Sequence, residues 1–139
     1  MKTFDLVIIG GGPAGIAAAS TAAKHGLEVA IIDERPTLGG QIYKRVGPGF
    51  KVKSAKEVGK DYYLGEKLIT ELDNSTVKLY LETIVATIEN SEVVVVQSGK
   101  NAERLSYRKL LISPGAYDRP VVFPGWTLPG VITAGAAQS

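Results

Sequence analysis

The sequence contains no cysteine. This absence excludes a disulfide framework, a thiolate metal site and a C-x-x-C redox pair within these 139 residues. Histidine occurs once, and no metal site is predicted. Because disulfides are uncommon in reducing compartments, the lack of cysteine is consistent with a cytoplasmic protein.

The sequence also lacks a large excess of one charge over the other and has no long apolar run. The net charge is +2, which is too small to indicate nucleic-acid binding. No apolar run approaches the roughly 18–20 residues that a membrane-spanning helix needs, and the N-terminal residues lack the layout of a signal peptide. With 45% hydrophobic and 22% charged residues, the chain has the composition of one ordinary globular domain.

A glycine-rich turn follows the first apolar run, Phe4–Ile9, which we interpret as a buried strand. Gly10, Gly12 and Gly15 stand at the G-x-G-x-x-G spacing that opens a dinucleotide-binding βαβ unit. In such a unit the first glycine permits the tight turn, the second lets the backbone approach a pyrophosphate, and the third lets the helix pack closely on the sheet. The predicted helix, from Ala14 to about Lys24, directs its free N–H groups and positive dipole end at the phosphates.

A second apolar run, Glu28–Ile32, ends on Asp33, where a carboxylate can accept both hydroxyls of an adenosine ribose. Arg35 would favour a ribose 2′-phosphate, and hence NADP, but the acid at Asp33 argues against that ligand. The spacing alone does not distinguish NAD from FAD. A plain βαβ unit with an ordinary turn and a surface aspartate is the structural alternative.

The residue pattern in the middle of the chain predicts one further helix and a third strand. The helical pattern begins at Ser54, a plausible N-cap, and extends to about Asp73, with an interruption near Gly59 or Gly65. The third strand covers Val77–Leu81.

Three short segments separated by turns then predict an antiparallel meander: Thr83–Glu89, Glu92–Ser98 and Arg104–Ile112. The last of them, over Lys109–Ser113, returns to the parallel sheet. A final helix within Ala134–Ser139 would be capped by Thr133. The predicted fold class is α/β, a Rossmann-like parallel sheet with an inserted antiparallel β-meander at about residues 83–108. Such an insertion favours a flavin domain over a plain NAD domain.

Four segments together resemble the FAD-containing large subunit of amine-oxidising dehydrogenase complexes. They read GGGPAGIAAA, DERPTLGGQIY, DYYLGEKL and SPGAYDRPVVFPGWTLPGVITAGAAQ. This group includes hydrogen cyanide synthase, opine oxidase, dye-linked proline and hydroxyproline dehydrogenases and heterotetrameric sarcosine oxidase, within the pyridine nucleotide–disulfide oxidoreductase superfamily. The resemblance implies FAD as the cofactor.

The resemblance also implies which residues bind FAD. They are Gly10, Gly12, Pro13, Ala14, Gly15, Asp33, Glu34, Arg35, Gly40, Gln41, Val85 and Gly115. The glycine turn would hold the pyrophosphate and Asp33 the ribose, with Glu34 beside it. Gly40 and Gln41 would lie along the cofactor toward the flavin, and Val85 would contact the adenine through its backbone.

Gly115 corresponds to the glycine of an Ala-Thr-Gly motif that approaches FAD in the family. Here the motif reads Ser113-Pro114-Gly115. Proline in place of threonine removes a hydroxyl and a backbone N–H, so this chain lacks the donors that the threonine supplies.

Family members continue into a second dinucleotide-binding domain. The resemblance therefore implies that residues 1–139 are the N-terminal part of an FAD-binding domain, with 116–139 starting the crossover. Any nicotinamide nucleotide, NAD or NADP, would bind in the second domain.

The implied reaction is oxidation of an amine, with hydride transfer to the flavin and other subunits as partners in an oligomeric complex. No catalytic residue is predicted in this chain. Two alternatives remain open: an NAD(P)H-dependent reductase of the thioredoxin reductase type, and a non-catalytic nucleotide-binding fragment.

Overall fold

A computed structural model of the chain describes residues 2–46, 49–73, 76–97 and 99–138. In chain order the elements are β1 (Lys2–Ile9), α1 (Pro13–Lys24), β2 (Val29–Ile32), α2 (Ala55–Val58), α3 (Lys60–Asp73), β3 (Val77–Tyr80), β4 (Thr83–Glu89), β5 (Glu92–Gln97), β6 (Glu103–Ile112) and α4 (Ala134–Gln138). Ser98 and Ser139, the predicted ends of a strand and of the last helix, lie outside the described residues.

The six strands form one sheet in the order β3-β2-β1-β6-β5-β4. β3, β2, β1 and β6 are parallel neighbours, whereas β5 runs antiparallel to both of its neighbours, β6 and β4. The predicted fold class, a Rossmann-like parallel sheet combined with an antiparallel meander, is confirmed.

β6 belongs to both parts of the sheet. Its residues Leu105–Ile112 pair in parallel with β1, and its first residues, Glu103–Ser106, also pair antiparallel with β5. The predicted return segment is therefore the second half of the strand that closes the meander. This shared strand fixes the position of the meander relative to the parallel sheet.

The parallel sheet is covered on both faces, which explains why β2 is apolar and buried at all of its positions. On one face, Ile8 and Ile31 pack with Ile16 of α1 and with Leu72 of α3. On the other face, the buried residues come from the sheet and from the meander. They are Phe4, Val7, Ala30, Ile32, Val93, Val95 and Leu105.

The predicted middle helix is interrupted at Gly59, whose φ of +147° separates α2 from α3. Gly65, the other predicted interruption, lies inside α3, where an added Cβ would stand 2.5 Å from the Cβ of Tyr43. It is thus a packing glycine. Ser54 occupies the N-cap position of α2, but its side chain makes no capping hydrogen bond.

The last helix, α4, is capped as predicted, because the backbone N–H of Ala136 donates to the Thr133 hydroxyl at 3.3 Å. Among the described residues, no helix has both the length and the apolar character to span a bilayer.

Candidate functional site

A cleft of about 620 Å³ lies at the carboxyl ends of β2, β1 and β6. Ligands of open α/β sheets bind at this edge, and the volume is in the range of small-molecule sites, roughly 300–1,000 Å³. Every predicted site residue except Gly15 lines the cleft. The opening glycines and the acidic end of β2 therefore share one crevice.

Gly10 forms the turn out of β1, and only glycine fits there. Its φ is +106°, and an added Cβ would overlap the carbonyl oxygen of Ser113. The Gly10 N–H donates to the Ile32 carbonyl at 2.8 Å, while the Ser113 N–H donates to the Ile9 carbonyl at 2.8 Å. The turn is thus tied to the strand ends on both sides of β1.

Gly12 and Gly40 bring two stretches of backbone together at the start of α1. An added Cβ on Gly40, whose φ is +61°, would stand 2.9 Å from the Cα of Gly12. The Gly39 N–H donates to the Gly11 carbonyl at 2.8 Å. No side chain caps the helix at Gly12, and Pro13 begins it. The uncapped helix end therefore opens on the cleft, as an anion-binding site requires.

Gly15 lies beneath the turn, away from the cleft. It is buried, and an added Cβ would overlap the carbonyl oxygen of Gly10 and approach the Ile8 side chain to 3.2 Å. This position agrees with the packing role predicted for the third glycine, and a contact of Gly15 with the pyrophosphate stays a prediction. Gly15 allows α1 to pack against β1, which is the packing role of the third glycine in the motif.

Asp33 holds the glycine turn with its side chain. One carboxylate oxygen accepts the Gly11 N–H at 2.6 Å and the other accepts the Arg35 N–H at 2.8 Å. Its own N–H donates to the Tyr80 carbonyl, and its carbonyl accepts the Thr83 N–H, both at 2.9 Å. Asp33 therefore organises the cleft, and both of its carboxylate oxygens are already hydrogen-bonded to backbone.

Glu34, the next residue, is exposed on the cleft and accepts a hydrogen bond from the Tyr117 hydroxyl. Tyr117 comes from the segment after β6, on the other side of β1. The hydrogen bond to Glu34, followed by desolvation, raises the pKa of the Tyr117 phenol, and the Arg35 side chain opposes this shift.

Val85 and Gly115 complete the predicted set. Val85 is half-buried on β4, where the register with β5 shifts between Val85 and Thr87. Gly115 has a φ of +77°, and nothing lies within 4 Å of an added Cβ. Before it, the Ser113 hydroxyl donates to the carbonyls of Ile9 and Gly10 at 3.2 and 3.3 Å. A side-chain hydroxyl thus remains in the motif, one residue before the replaced threonine.

Several cleft residues were not singled out from the sequence. They are Ile9, Ile32, Ile42, Thr83, Ile84, Ser113, Pro114, Ala116 and Tyr117. They lie close in the sequence to predicted site residues, namely Gly10, Asp33, Gln41, Val85 or Gly115, and this nearness is the signal that could have found them. Within the described ranges, no group of three or more histidine, aspartate or glutamate side chains could hold a metal ion.

Comparison with known proteins agrees with this geometry. Residues 4–138 match the family model of the pyridine nucleotide-disulphide oxidoreductases. An opine oxidase subunit of Rhizobium meliloti (strain 1021) is 38% identical over 138 residues, which cover 99% of this chain and 30% of that protein. The chain thus spans less than a third of the length of this curated relative.

Two solved structures are similar in fold and sequence. L-proline dehydrogenase from P. horikoshii gives a TM-score of 0.68 at 31% identity, covering 87% of this chain and 24% of that one. Thioredoxin reductase from Streptococcus pyogenes MGAS5005 gives a TM-score of 0.55 at 30% identity, covering 86% of this chain and 37% of that one.

Proposed function

The chain belongs to the pyridine nucleotide-disulphide oxidoreductase family, and from this we propose that it forms part of the FAD-binding domain of an amine-oxidising enzyme. The family resemblance predicted from the sequence is confirmed. The observation that carries the proposal is the single cleft in which the glycine turn, the acidic end of β2 and the start of β4 face one another.

The cleft is suited to the ADP half of FAD. The uncapped start of α1, at Gly12 and Ala14, would hold the diphosphate, because free N–H groups and the helix dipole favour an anion. Glu34, which is exposed on the cleft, would accept the ribose hydroxyls beside Asp33, whose carboxylate oxygens each accept one backbone N–H and keep a further lone pair. The ribose role of Asp33 stays a prediction, and its bonds to the backbone also position the turn. Val85 and its neighbours on β4 would form the wall beside the adenine.

Gly40, Gln41 and Gly115 would lie along the cofactor beyond the diphosphate. All three line the same cleft, and the glycines present no side chain there that would keep a ligand away from the backbone. When bound, FAD would supply the hydride acceptor, while the residues of this chain bind and orient it. We assign no acid, base or nucleophile to this chain.

The proposed substrate class and partners rest on the similar proteins. The opine oxidase relative and L-proline dehydrogenase are named for oxidations of amino-acid-derived compounds. We therefore propose an amine or amino-acid-derived substrate for the enzyme. Because the opine oxidase relative is named as one subunit of its enzyme, we also propose that other subunits of a dehydrogenase complex are partners.

A second candidate is a flavoprotein reductase driven by a nicotinamide nucleotide. The similarity to thioredoxin reductase, at 30% identity, supports it. Anaerobic reduction of the protein-bound flavin, followed by its visible spectrum, discriminates the two. Bleaching by L-proline or another amine supports the first candidate, and bleaching by NADPH alone supports the second.

Cofactor binding is tested by adding FAD to the purified chain, removing excess FAD by gel filtration and recording the visible spectrum. We expect flavin bands that co-elute with the protein. Gly40→Ala should weaken FAD binding at least about tenfold, because the new methyl group is forced against Gly12 at a positive φ.

The matched control is Gly99→Ala. Gly99 also has a positive φ, +72°, but nothing lies within 4 Å of an added Cβ, and it is remote from the cleft. A chain that FAD does not colour, or equal FAD affinities in the two variants, would contradict the proposal.

A further inference from the structure

The hydrogen bond between Tyr117 and Glu34 crosses the mouth of the cleft. Glu34 follows β2 and Tyr117 follows β6, and these strands flank β1 in the sheet. The glycine turn at the end of β1 therefore lies between the two residues. A nucleotide bound along the turn would meet this bridge.

Tyr117 is held loosely compared with the rest of the cleft. Its side chain is 68% exposed, so packing contributes little to its position. Gly115, two residues earlier, adopts a positive φ with open space around it. The segment can therefore swing without displacing packed side chains.

The Glu34 carboxylate can accept a hydrogen bond either from a phenol or from a sugar hydroxyl. Its carboxylate accepts one hydroxyl from Tyr117, and it could accept two from the vicinal diol of a ribose. The Tyr117 hydroxyl donates to Glu34, whereas the carboxylate oxygens of Asp33 accept the N–H groups of Gly11 and Arg35.

We propose that Tyr117 is a latch on the nucleotide cleft, which occupies the ribose position on Glu34 in the free protein and is displaced by the ribose diol. This inference rests on the proposed binding of FAD. A closed fraction of the protein lowers the apparent affinity for a nucleotide whose ribose must displace Tyr117 from Glu34, in proportion to the open fraction. The latch thus lowers the affinity for nucleotides that carry the ribose diol and leaves the affinity for nucleotides without it unchanged.

The test is calorimetric titration of the chain with ADP and with 2′,3′-dideoxy-ADP, which lacks the diol. Tyr117→Phe removes the competing hydroxyl and keeps the ring, so ADP should bind about threefold more tightly if about two-thirds of the free protein is latched. Dideoxy-ADP should bind equally to both proteins, because it does not compete for Glu34. In a Glu34→Ala background, which removes the shared acceptor, Tyr117→Phe should have no effect on ADP binding.

The control variant is Tyr63→Phe, a partly exposed tyrosine on α3 that does not line the cleft. It should leave ADP affinity unchanged. If Tyr117→Phe binds ADP no more tightly than wild type, the latch is overturned and the proposed function is not. Weaker binding by Tyr117→Phe also overturns the latch, since the hydroxyl would then assist the nucleotide. Failure of wild type and variants to bind either ADP or FAD overturns both the latch and the proposed function.

Discussion

Asp33 and Glu34 differ in their contacts, so we expect their substitutions to change different quantities. Asp33→Asn should lower the free energy of unfolding, and Glu34→Gln should lower the affinity for FAD. In Asp33→Asn, one of the two oxygens that accept the Gly11 and Arg35 N–H groups becomes an NH₂ donor. A hydrogen bond to a charged group contributes about 1.5–3 kcal/mol. We therefore expect the free energy of unfolding to fall by about 2 kcal/mol, which corresponds to a Tm lower by about 4–8 °C.

Glu34→Gln should show the opposite pattern. The Glu34 side chain is exposed, so its replacement should change the free energy of unfolding by less than about 0.5 kcal/mol. FAD affinity should fall about tenfold or more, since a charge-assisted acceptor for the ribose is lost.

The assays are urea unfolding followed by circular dichroism, and FAD titration followed by flavin fluorescence. Asp5→Asn is the matched control. The Asp5 side chain also accepts one backbone N–H, from Glu28 at 3.0 Å, and pairs with the Arg108 guanidinium at 3.1 Å, away from the cleft. We expect it to cost less than about 1 kcal/mol. Asp33→Asn with wild-type stability, or Glu34→Gln with wild-type FAD affinity, would refute the assignment of roles.

Three further predictions concern the shared strand, the turn and the latch. Leu105→Ala, at a fully buried position where β6 pairs with both β1 and β5, should lower the free energy of unfolding by about 2–5 kcal/mol. Ile112→Ala on the same strand, with 60% exposure, should cost less than about 1 kcal/mol; equal losses in urea unfolding would contradict this packing. Gly10→Ala should cost at least about 2 kcal/mol, because φ is positive and the methyl group would overlap a carbonyl oxygen, and wild-type unfolding would show that the turn is misplaced. The Tyr117 phenol should ionise at a lower pH in Glu34→Gln than in wild type, as followed by ultraviolet absorbance, because its hydrogen bond to Glu34 raises its pKa. The hydrogen bond requires the protonated phenol. Its contribution to stability is therefore complete below the ordinary tyrosine pKa and is lost as pH rises through the raised pKa of Tyr117. Identical titrations of wild type and Glu34→Gln would contradict the contact.

Much of the fold could be predicted because its signals are local. β1, the glycine turn and α1 are specified by adjacent residues, and Gly10 in particular is dictated by a backbone conformation that other residues rarely adopt. Burial of β2 on both faces gave a continuous apolar run, which is readable without tertiary information.

Features that depend on distant contacts could not be predicted in the same way. The double pairing of β6 is a matter of register between β1 and the meander, and alternating hydrophobicity does not specify partners. The packing role of Gly65 within α3 depends on Tyr43, which approaches it from a distant part of the sequence.

The roles within the candidate site show the same limit. Asp33 and Glu34 are adjacent acids in the sequence. Only the structure shows that it is Asp33 whose carboxylate accepts the Gly11 N–H. Tyr117 reaches Glu34 across 83 residues of chain, so no spacing within a motif pointed to it.

Chemical-shift mapping with ADP tests most directly whether this cleft holds the nucleotide half of the cofactor. Amide shifts on addition of ADP should concentrate at Gly12, Ala14, Glu34, Gly40 and Val85, which line the cleft. Shifts confined to the opposite end of the sheet, around Lys78 and Asn101, or no shifts at saturating ADP, would contradict the account.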